Sequence, residues 1–290
     1  MINKAIILCG GTGSRMFPVT KSINKQILPL SGKPMFFYPL SLLMLCGVRN
    51  FLFIVNRNNK KYFSRVLGPT KDLGISVKYK IQNNPKGLPE AFIIGKEFIA
   101  NDSVAMILGD NFFYGSMLSP LIKESFLNPK GANIYLYPSK NTSAYGVVEL
   151  GKNGSIKKII EKPKFTRSDL VITGMYVFDK NVSLYAKKLK PSKRGETEIV
   201  DLINLYKKKK LLNIIKLGRG SAWLDVGSFE DLQNGSNFIQ NIEQRQNYMI
   251  GCLEEISLNN KWINKKNLIN RIKFFGNSNY ARYLKDLLKY

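Results

Sequence analysis

Apolar and polar positions alternate between two spacings along the first half of the chain. Lys4–Cys9 is a continuous apolar run that stops at Gly10-Gly11, which predicts a buried strand feeding a tight loop. Phe37–Leu45 carries apolar residues at helical spacing, and Gly47 is placed to end that helix. Phe51–Val55 predicts a second strand, Tyr62–Leu67 a short helix and Val77–Ile81 a third strand. Phe92–Ile99 reads as one helix, with Pro89 and Glu90 suited to its first turn. Val104–Leu108 is a further apolar run, a central strand that stops at Gly109-Asp110-Asn111. Strands alternating with helices predict an α/β fold, a parallel sheet with helices on both faces.

The pattern then changes. Val147–Leu150 and Ile156–Ile160 flank Lys152-Asn153-Gly154, a hairpin signal because Asn-Gly accepts the positive φ angles of a tight turn. Val171–Phe178 predicts another strand, and helices follow around Glu198–Tyr206 and Asp231–Glu243. From Cys252 the periodicity weakens until a helix around Tyr280–Leu288. No repeat or linker divides the chain, which is expected to form one domain over 1–290.

Composition narrows the chemistry. The 290 residues include no histidine, which excludes Ser-His-Asp triads, Cys-His pairs, His-ligated zinc and imidazole acid–base catalysis. Carboxylates, Lys, Arg, backbone N–H groups and a hard oxygen-seeking metal remain. The three cysteines, Cys9, Cys46 and Cys252, are scattered and suit buried apolar packing in a reducing compartment. No apolar segment approaches the roughly 20 residues that span a bilayer, so a soluble cytoplasmic protein without membrane contact is expected. With 45 Lys+Arg against 20 Asp+Glu the net charge is +25, which raises a nucleic-acid reading. The one long basic run, Lys207–Lys210, follows apolar Ile199, Leu202, Ile203 and Leu205 and reads as the solvated end of an amphipathic helix. No nucleic-acid partner is therefore expected.

Three places could carry chemistry. Gly10, Gly11, Thr12, Gly13, Ser14 and Arg15 follow the first strand; such a loop can cradle a phosphate or simply turn. It lacks the third glycine of a dinucleotide fingerprint and the Lys-Ser/Thr of a Walker A loop, while Arg15 adds a cation suited to phosphate. Asp110 ends a predicted strand, where it could ligate a metal or cap a turn. Trp223-Leu224-Asp225 likewise delivers a carboxylate from an apolar stretch.

Gly10–Pro18, Lys25–Pro29, Lys33-Pro34-Met35, Gly109-Asp110-Asn111, Tyr145–Glu149, Glu161-Lys162-Pro163 and Ala222–Asp225 occur together and in order. In these motifs the chain resembles the sugar-nucleotide pyrophosphorylases, in particular the short bacterial glucose-1-phosphate thymidylyltransferases, over essentially its whole length. The resemblance implies a Rossmann-like mixed, mostly parallel sheet sandwiched by helices. It also implies an inserted sugar-binding β portion and a helical C-terminal segment. The portions would run over about 1–115 for nucleotide, 116–228 for sugar and 229–290 for the helical end. The implied reaction joins dTTP and glucose 1-phosphate into dTDP-glucose and pyrophosphate, opening a dTDP-rhamnose type of pathway.

By that resemblance Gly10, Gly11, Thr12, Gly13, Ser14, Arg15, Lys25, Gln26, Gln82 and Gly87 bind nucleotide. Asn111, Tyr145, Gly146, Glu161, Lys162, Ile172 and Thr173 receive the sugar phosphate. Arg15, Lys25 and Lys162 are catalytic, and Asp110 with Asp225 holds Mg²⁺. A homotetramer, with feedback by a downstream dTDP-sugar near the C-terminal segments, is also implied. Several positions depart from the family pattern. Pro89-Glu90 replaces Ala-Gln and puts an anion beside the base pocket, leaving UTP as an alternative nucleotide; another hexose 1-phosphate is the alternative sugar. Ser14 replaces Thr, Cys9 replaces Ala, Ile172 replaces Val, Val226 replaces Thr, and 141–144 is unlike the relatives. The reading from another class is a basic nucleic-acid-binding protein without catalysis.

Overall fold

A computed structural model describes residues 1–192 and 195–289. Strand β1 (Lys4–Cys9) forms where the sequence predicts it and leads into the glycine loop. Two-residue strands β2 (Pro29–Leu30) and β3 (Lys33–Pro34) pair with each other. Helix α1 (Phe37–Leu45) follows, and Gly47 adopts φ +91° just beyond it, a conformation that stops the helix. Then come β4 (Asn50–Val55), α2 (Lys60–Leu67) and β5 (Ser76–Ile81). The single helix expected over Phe92–Ile99 is instead two short ones, α3 (Glu90–Ile94) and α4 (Lys96–Ile99). Gly95 breaks them, lying so close that an added Cβ would stand 3.0 Å from the Ile6 side chain. Strand β6 (Val104–Leu108) completes a parallel run β5-β4-β1-β6.

A second set extends this sheet. Asp110 and its neighbours lead into β7 (Asn111–Tyr114), α5 (Leu118–Ser125) and β8 (Ala132–Pro138). The expected hairpin is β9 (Gly146–Leu150) with β10 (Ile156–Glu161), antiparallel. Strand β11 (Leu170–Phe178) joins the two halves, running antiparallel to β6, β8 and β9. Helices α6 (Val182–Ala186) and α7 (Ile199–Lys208) and strand β12 (Leu212–Lys216) follow, β12 pairing in parallel with β8. Strand β13 (Ala222–Asp225) leaves this mixed sheet and pairs with β7 in a separate two-stranded ladder.

The last segment is helical: α8 (Phe229–Gln246), α9 (Leu253–Asn259), α10 (Lys265–Phe275) and α11 (Asn279–Asp286). Ser228 caps α8 in a reciprocal box with Asp231, satisfying backbone donors that the helix itself leaves unpaired. Among the described residues no helix is long and apolar enough to cross a membrane.

The sheet separates two cores. Ala5, Ile7 and Cys9 face one side with α1 and α9, while Ile6 and Leu8 face the other with α3, α6 and α7. That alternation follows from the two-residue period of a strand, and burial of both faces explains why β1 and β6 are apolar throughout. Both core strands end on the same edge, so their loops, Gly10–Arg15 and Gly109-Asp110, open side by side.

Candidate functional site

The glycine loop is held open by close backbone approach. Gly11 and Gly13 adopt φ +95° and +61°, and a Cβ on Gly10 would collide with the Gln82 amide oxygen. Asn56 donates to the Gly11 carbonyl (3.0 Å), Thr20 to that of Gly13 (2.7 Å) and Asn24 to that of Cys9 (3.2 Å). The Asn24 carboxamide also accepts from the Gln26 N–H (2.9 Å), starting the short turn Lys25–Ile27 that aims Lys25 inward. Thr12 and Ser14 are exposed on the loop. Cys9 is buried beneath it, its thiol pushed well up by burial. All three cysteines are free and buried.

Across a cleft of about 210 Å³, Gly10, Gln26, Gln82, Gly87, Leu88 and Asp110 face one another. Gly87 has φ +106°, and a Cβ there would fall on the Thr197 carbonyl oxygen. Lys86 accepts from the Thr197 N–H (2.8 Å) and hydroxyl (2.9 Å), pinning this wall to the segment before α7. Gln82 donates to the Glu90 carboxylate (2.7 Å), which also accepts from the Lys86 N–H (3.0 Å). Two buried acceptors, Gln26 Oε1 and Asn56 Oδ1, have no hydrogen-bond partner among the described residues. An unpartnered buried acceptor costs free energy that a ligand donor would recover.

The ladder β7–β13 sets Asn111 opposite Asp225 and brings Asp110 beside both. Asn111 is buried, and its amide is fully engaged. Its oxygen accepts from the Trp223 indole (2.7 Å) and the Gly174 N–H (3.0 Å). Its nitrogen donates to Asp110 (3.2 Å) and Asp225 (3.4 Å). Asn111, expected among the sugar contacts, therefore acts in this structure as the tie between two carboxylates. Lys25 Nζ reaches Asp110 at 2.7 Å, its side chain only 8% exposed. Arg15 approaches from the loop and packs its guanidinium over Gly227. Burial and the Asp110 charge push Asp225 up to about 6, against the pull of Lys25 and Arg15.

The other residues expected at the sugar lie at the start of β9, the end of β10 and on β11. Tyr145 stacks edge-on against Trp223 at 5.1 Å, and burial, then Asp225, pushes its phenol upward. The main chain turns sharply at Lys162 (φ +43°), whose N–H donates to the Tyr145 carbonyl (3.0 Å). Its ammonium lies 4.0 Å from Glu161. A Cβ on Gly146 would meet Val200 at 2.8 Å and Ile172 at 3.2 Å. Ile172 is buried. Thr173 is fully buried and donates its hydroxyl to the Tyr135 carbonyl (3.0 Å), so its side chain is engaged within the sheet. The β11–β8 register shifts between Ile172 and Tyr176.

A cationic loop facing two crowded carboxylates is an arrangement for phosphate transfer, and the comparisons agree. A family profile described as nucleotidyl transferase matches residues 4–242. The chain belongs to the nucleotidyl transferase family. It is similar to the glucose-1-phosphate thymidylyltransferase of Neisseria meningitidis serogroup A, 44% identical over 286 residues and 99% of each chain. A Bacillus anthracis protein solved as a glucose-1-phosphate thymidylyltransferase in complex with a sucrose is 34% identical. It superposes with TM-score 0.75 over 81% of this chain and 94% of that one. A UDP-glucose pyrophosphorylase complexed with UDP-glucose is 25% identical, with TM-score 0.72 over 83% and 99%.

Sequence reasoning missed Asn24, Asn56, Gly174 and Gly227 in this nucleotidyl transferase. Asn24 and Asn56 brace the loop with their carboxamides, and nothing in an asparagine-rich chain distinguishes a loop-bracing Asn from a surface one. Trp223 was visible only as part of a motif; its indole bond to Asn111 is a tertiary fact.

Proposed function

We propose that this nucleotidyl transferase joins dTTP and glucose 1-phosphate into dTDP-glucose with release of pyrophosphate. The observation that carries the reading is the meeting of Lys25, Asp110, Asp225 and Arg15 at the mouth of the glycine loop. The loop N–H groups and Arg15 would take the triphosphate, and the cleft beside Gln82 and Gly87 the base. Tyr145, Gly146, Glu161 and the main chain at Ile172–Thr173 would receive the sugar, with Lys162 on its phosphate.

The sugar phosphate is already anionic at neutral pH, so its oxygen attacks the α-phosphorus without a general base. A protein without histidine can therefore run this chemistry. What the site supplies is positioning and charge: Arg15, Lys25 and Lys162 offset repulsion between two anionic substrates. Asp110 and Asp225 suit Mg²⁺, which is held by one or two carboxylates plus substrate phosphates. Their fit rests on geometry: the Asn111 amide nitrogen lies 3.2 Å from Asp110 and 3.4 Å from Asp225, so the two carboxylates share one neighbourhood. Bound there, the ion would supply Lewis-acid neutralisation of the triphosphate.

Pyrophosphate release from a matrix of the four common NTPs and dTTP against several hexose 1-phosphates tests the proposal. The dTTP–glucose 1-phosphate pair is expected to be fastest; activity with no pair would overturn it. A preference for UTP is the second reading, favoured by Glu90 gripping the Gln82 amide.

We further infer a homotetramer with a feedback site in the cavity of about 460 Å³ formed by α1, the turn after β7 and α9, at the C-terminal segment. Tyr114 there donates to Gln246 or pairs with Tyr248 (2.6 and 2.8 Å). Sedimentation, and inhibition by a dTDP-6-deoxysugar lost in a Leu45→Arg variant, test those two assignments. The buried free thiols are consistent with a cytoplasmic setting.

A further inference from the structure

Gln82 follows β5 and is buried in the wall of the cleft of about 210 Å³, its N–H donating to the Val55 carbonyl (2.9 Å). Its carboxamide has two unlike ends, a donor and an acceptor, and the end that meets a ligand decides what the cleft can read. Glu90, the first residue of α3, settles which end that is. One of its carboxylate oxygens accepts both from Gln82 Nε2 (2.7 Å) and from the Lys86 N–H (3.0 Å). A carboxylate offers acceptors only, so it takes the amide by its nitrogen and never by its oxygen.

The oxygen end lies against Gly10, where an added Cβ would stand 2.4 Å from Gln82 Oε1 and 3.9 Å from Asn56 Oδ1. Gly10 itself lines the cleft, as does Gln26. Neither Asn56 Oδ1 nor Gln26 Oε1 has a hydrogen-bond partner among the described residues. Acceptors therefore gather in this part of the cleft, and a ligand that brings N–H groups matches them. Glu90 also stands in the first turn of α3, where an acid suits the helix dipole. That role needs no contact outside the helix, whereas this carboxylate reaches back eight residues to Gln82 and four to Lys86.

We propose that Glu90 is a positioning residue. It locks the Gln82 carboxamide with its oxygen toward the base, so that among pyrimidines the cleft takes those with a ring N–H. Thymine and uracil carry one, in an imide flanked by two carbonyls. Cytosine carries a bare lone pair at the same ring atom, which would face the Gln82 oxygen and be repelled. A free carboxamide would turn over and donate to cytosine; the grip of Glu90 removes that option. Discrimination then comes from a repulsive contact held in place as much as from an attractive one. This lock rests on the base position proposed above, beside Gln82 and Gly87.

Calorimetric titration of dTTP and of dCTP into the intact protein, without sugar phosphate, reads the lock apart from turnover. The wild-type protein is expected to bind dTTP about 100-fold more tightly than dCTP. Glu90→Gln sets both a donor and an acceptor beside Gln82, so either orientation is held, and the ratio is expected to fall about tenfold. Glu90→Asp keeps an acid at the start of α3 but draws it back from Gln82. Its Tm is expected to hold while the ratio falls as in Glu90→Gln. A purely structural loss would weaken both nucleotides equally and leave their ratio at the wild-type value. That ratio unchanged in either variant overturns the proposal, and so does wild-type protein that binds dCTP as tightly as dTTP. Protein that shows the expected ratios yet releases pyrophosphate with no sugar phosphate keeps the lock and removes the reaction. Equal turnover of dTTP and dCTP removes the lock and keeps the reaction.

Discussion

Two buried clusters in this protein use the same kinds of side chain and reach opposite states. In the C-terminal helices, Arg271 and Glu254 are wholly buried and joined through Nε at 2.7 Å. Arg271 Nη1 donates to the Leu67 carbonyl (2.8 Å), and its guanidinium packs at 5.0 Å against both Phe274 and Phe275. Nη2 stands 2.7 Å from the same Glu254 oxygen, off-line for a hydrogen bond. The other carboxylate oxygen accepts from Tyr280. One charge meets one countercharge. At the site, Lys25 meets Asp110, but Asp225 is added nearby and Gln26 Oε1 is left without a partner among the described residues. The first cluster pairs its charges without a ligand; the second crowds two acids at the mouth of a cleft. A buried group with its partners supplied holds structure, and one left short is poised to bind.

Substitution at the site gives the largest effect on function. Asp225→Asn and Lys25→Met are each expected to lower kcat by ~10³-fold or more, because both act on transition-state charge. Tm of the Asp225→Asn protein should hold or rise; a matching loss of stability would show that the residue is structural. Glu254→Gln and Arg271→Met should do the reverse, costing about 3–5 kcal/mol by stranding a buried charge. Chemical denaturation reads that loss, and kcat per folded molecule should be unchanged. If the double apolar replacement recovers nothing, packing and not charge holds this cluster.

Acidity separates the two clusters more finely. Asp225 titrates near 6, above the 3.8 of a free Asp, so the folded protein holds its proton more tightly than the unfolded chain. Metal-free protein should therefore lose stability as pH rises from about 4 through 6, by up to about 3 kcal/mol, and stay lower above that window. Asp225→Asn, or added Mg²⁺, should flatten this slope in a thermal melt; an unchanged slope would place its origin elsewhere. Arg15→Ala is expected to reduce kcat roughly 10–100-fold, less than Lys25→Met, because Arg15 is exposed at the loop mouth. A change confined to KM would contradict its transition-state role. Smallest is Glu90→Gln, which releases the Gln82 amide and should shift the dTTP-to-UTP ratio only severalfold; an unaltered ratio would detach Glu90 from base selection.

How much of this was legible beforehand follows the same division. Strands β1, β4 and β6 are buried on both faces, so their continuous apolar runs located them closely. Strand β8 was missed because Asn133 interrupts its apolar run; that Asn is buried through a bond from Asn213 (3.1 Å) and one to the Ser125 carbonyl (3.3 Å). Helices α9 and α10 were missed because Glu254 and Arg271 sit on their inner faces, where a periodicity argument expects apolar residues. Within the site, the glycine loop and the strand-end Asp110 were readable from spacing. The meeting of Asp110 with Asp225 was not, since 114 residues and a detached ladder lie between them.

That ladder has a mechanical consequence. Strands β7 and β13 belong to neither half of the main sheet and carry Asn111 and Asp225 in fixed register, with Asp110 one residue before. They act as a caliper whose jaws are the two acids and whose gap one amide sets. On the proposed assignment, side chains along the glycine loop and along β9–β11 can change without altering that register. On that assignment, substrate range would drift at either wall while the spacing of the two acids stays gauged by a separate ladder.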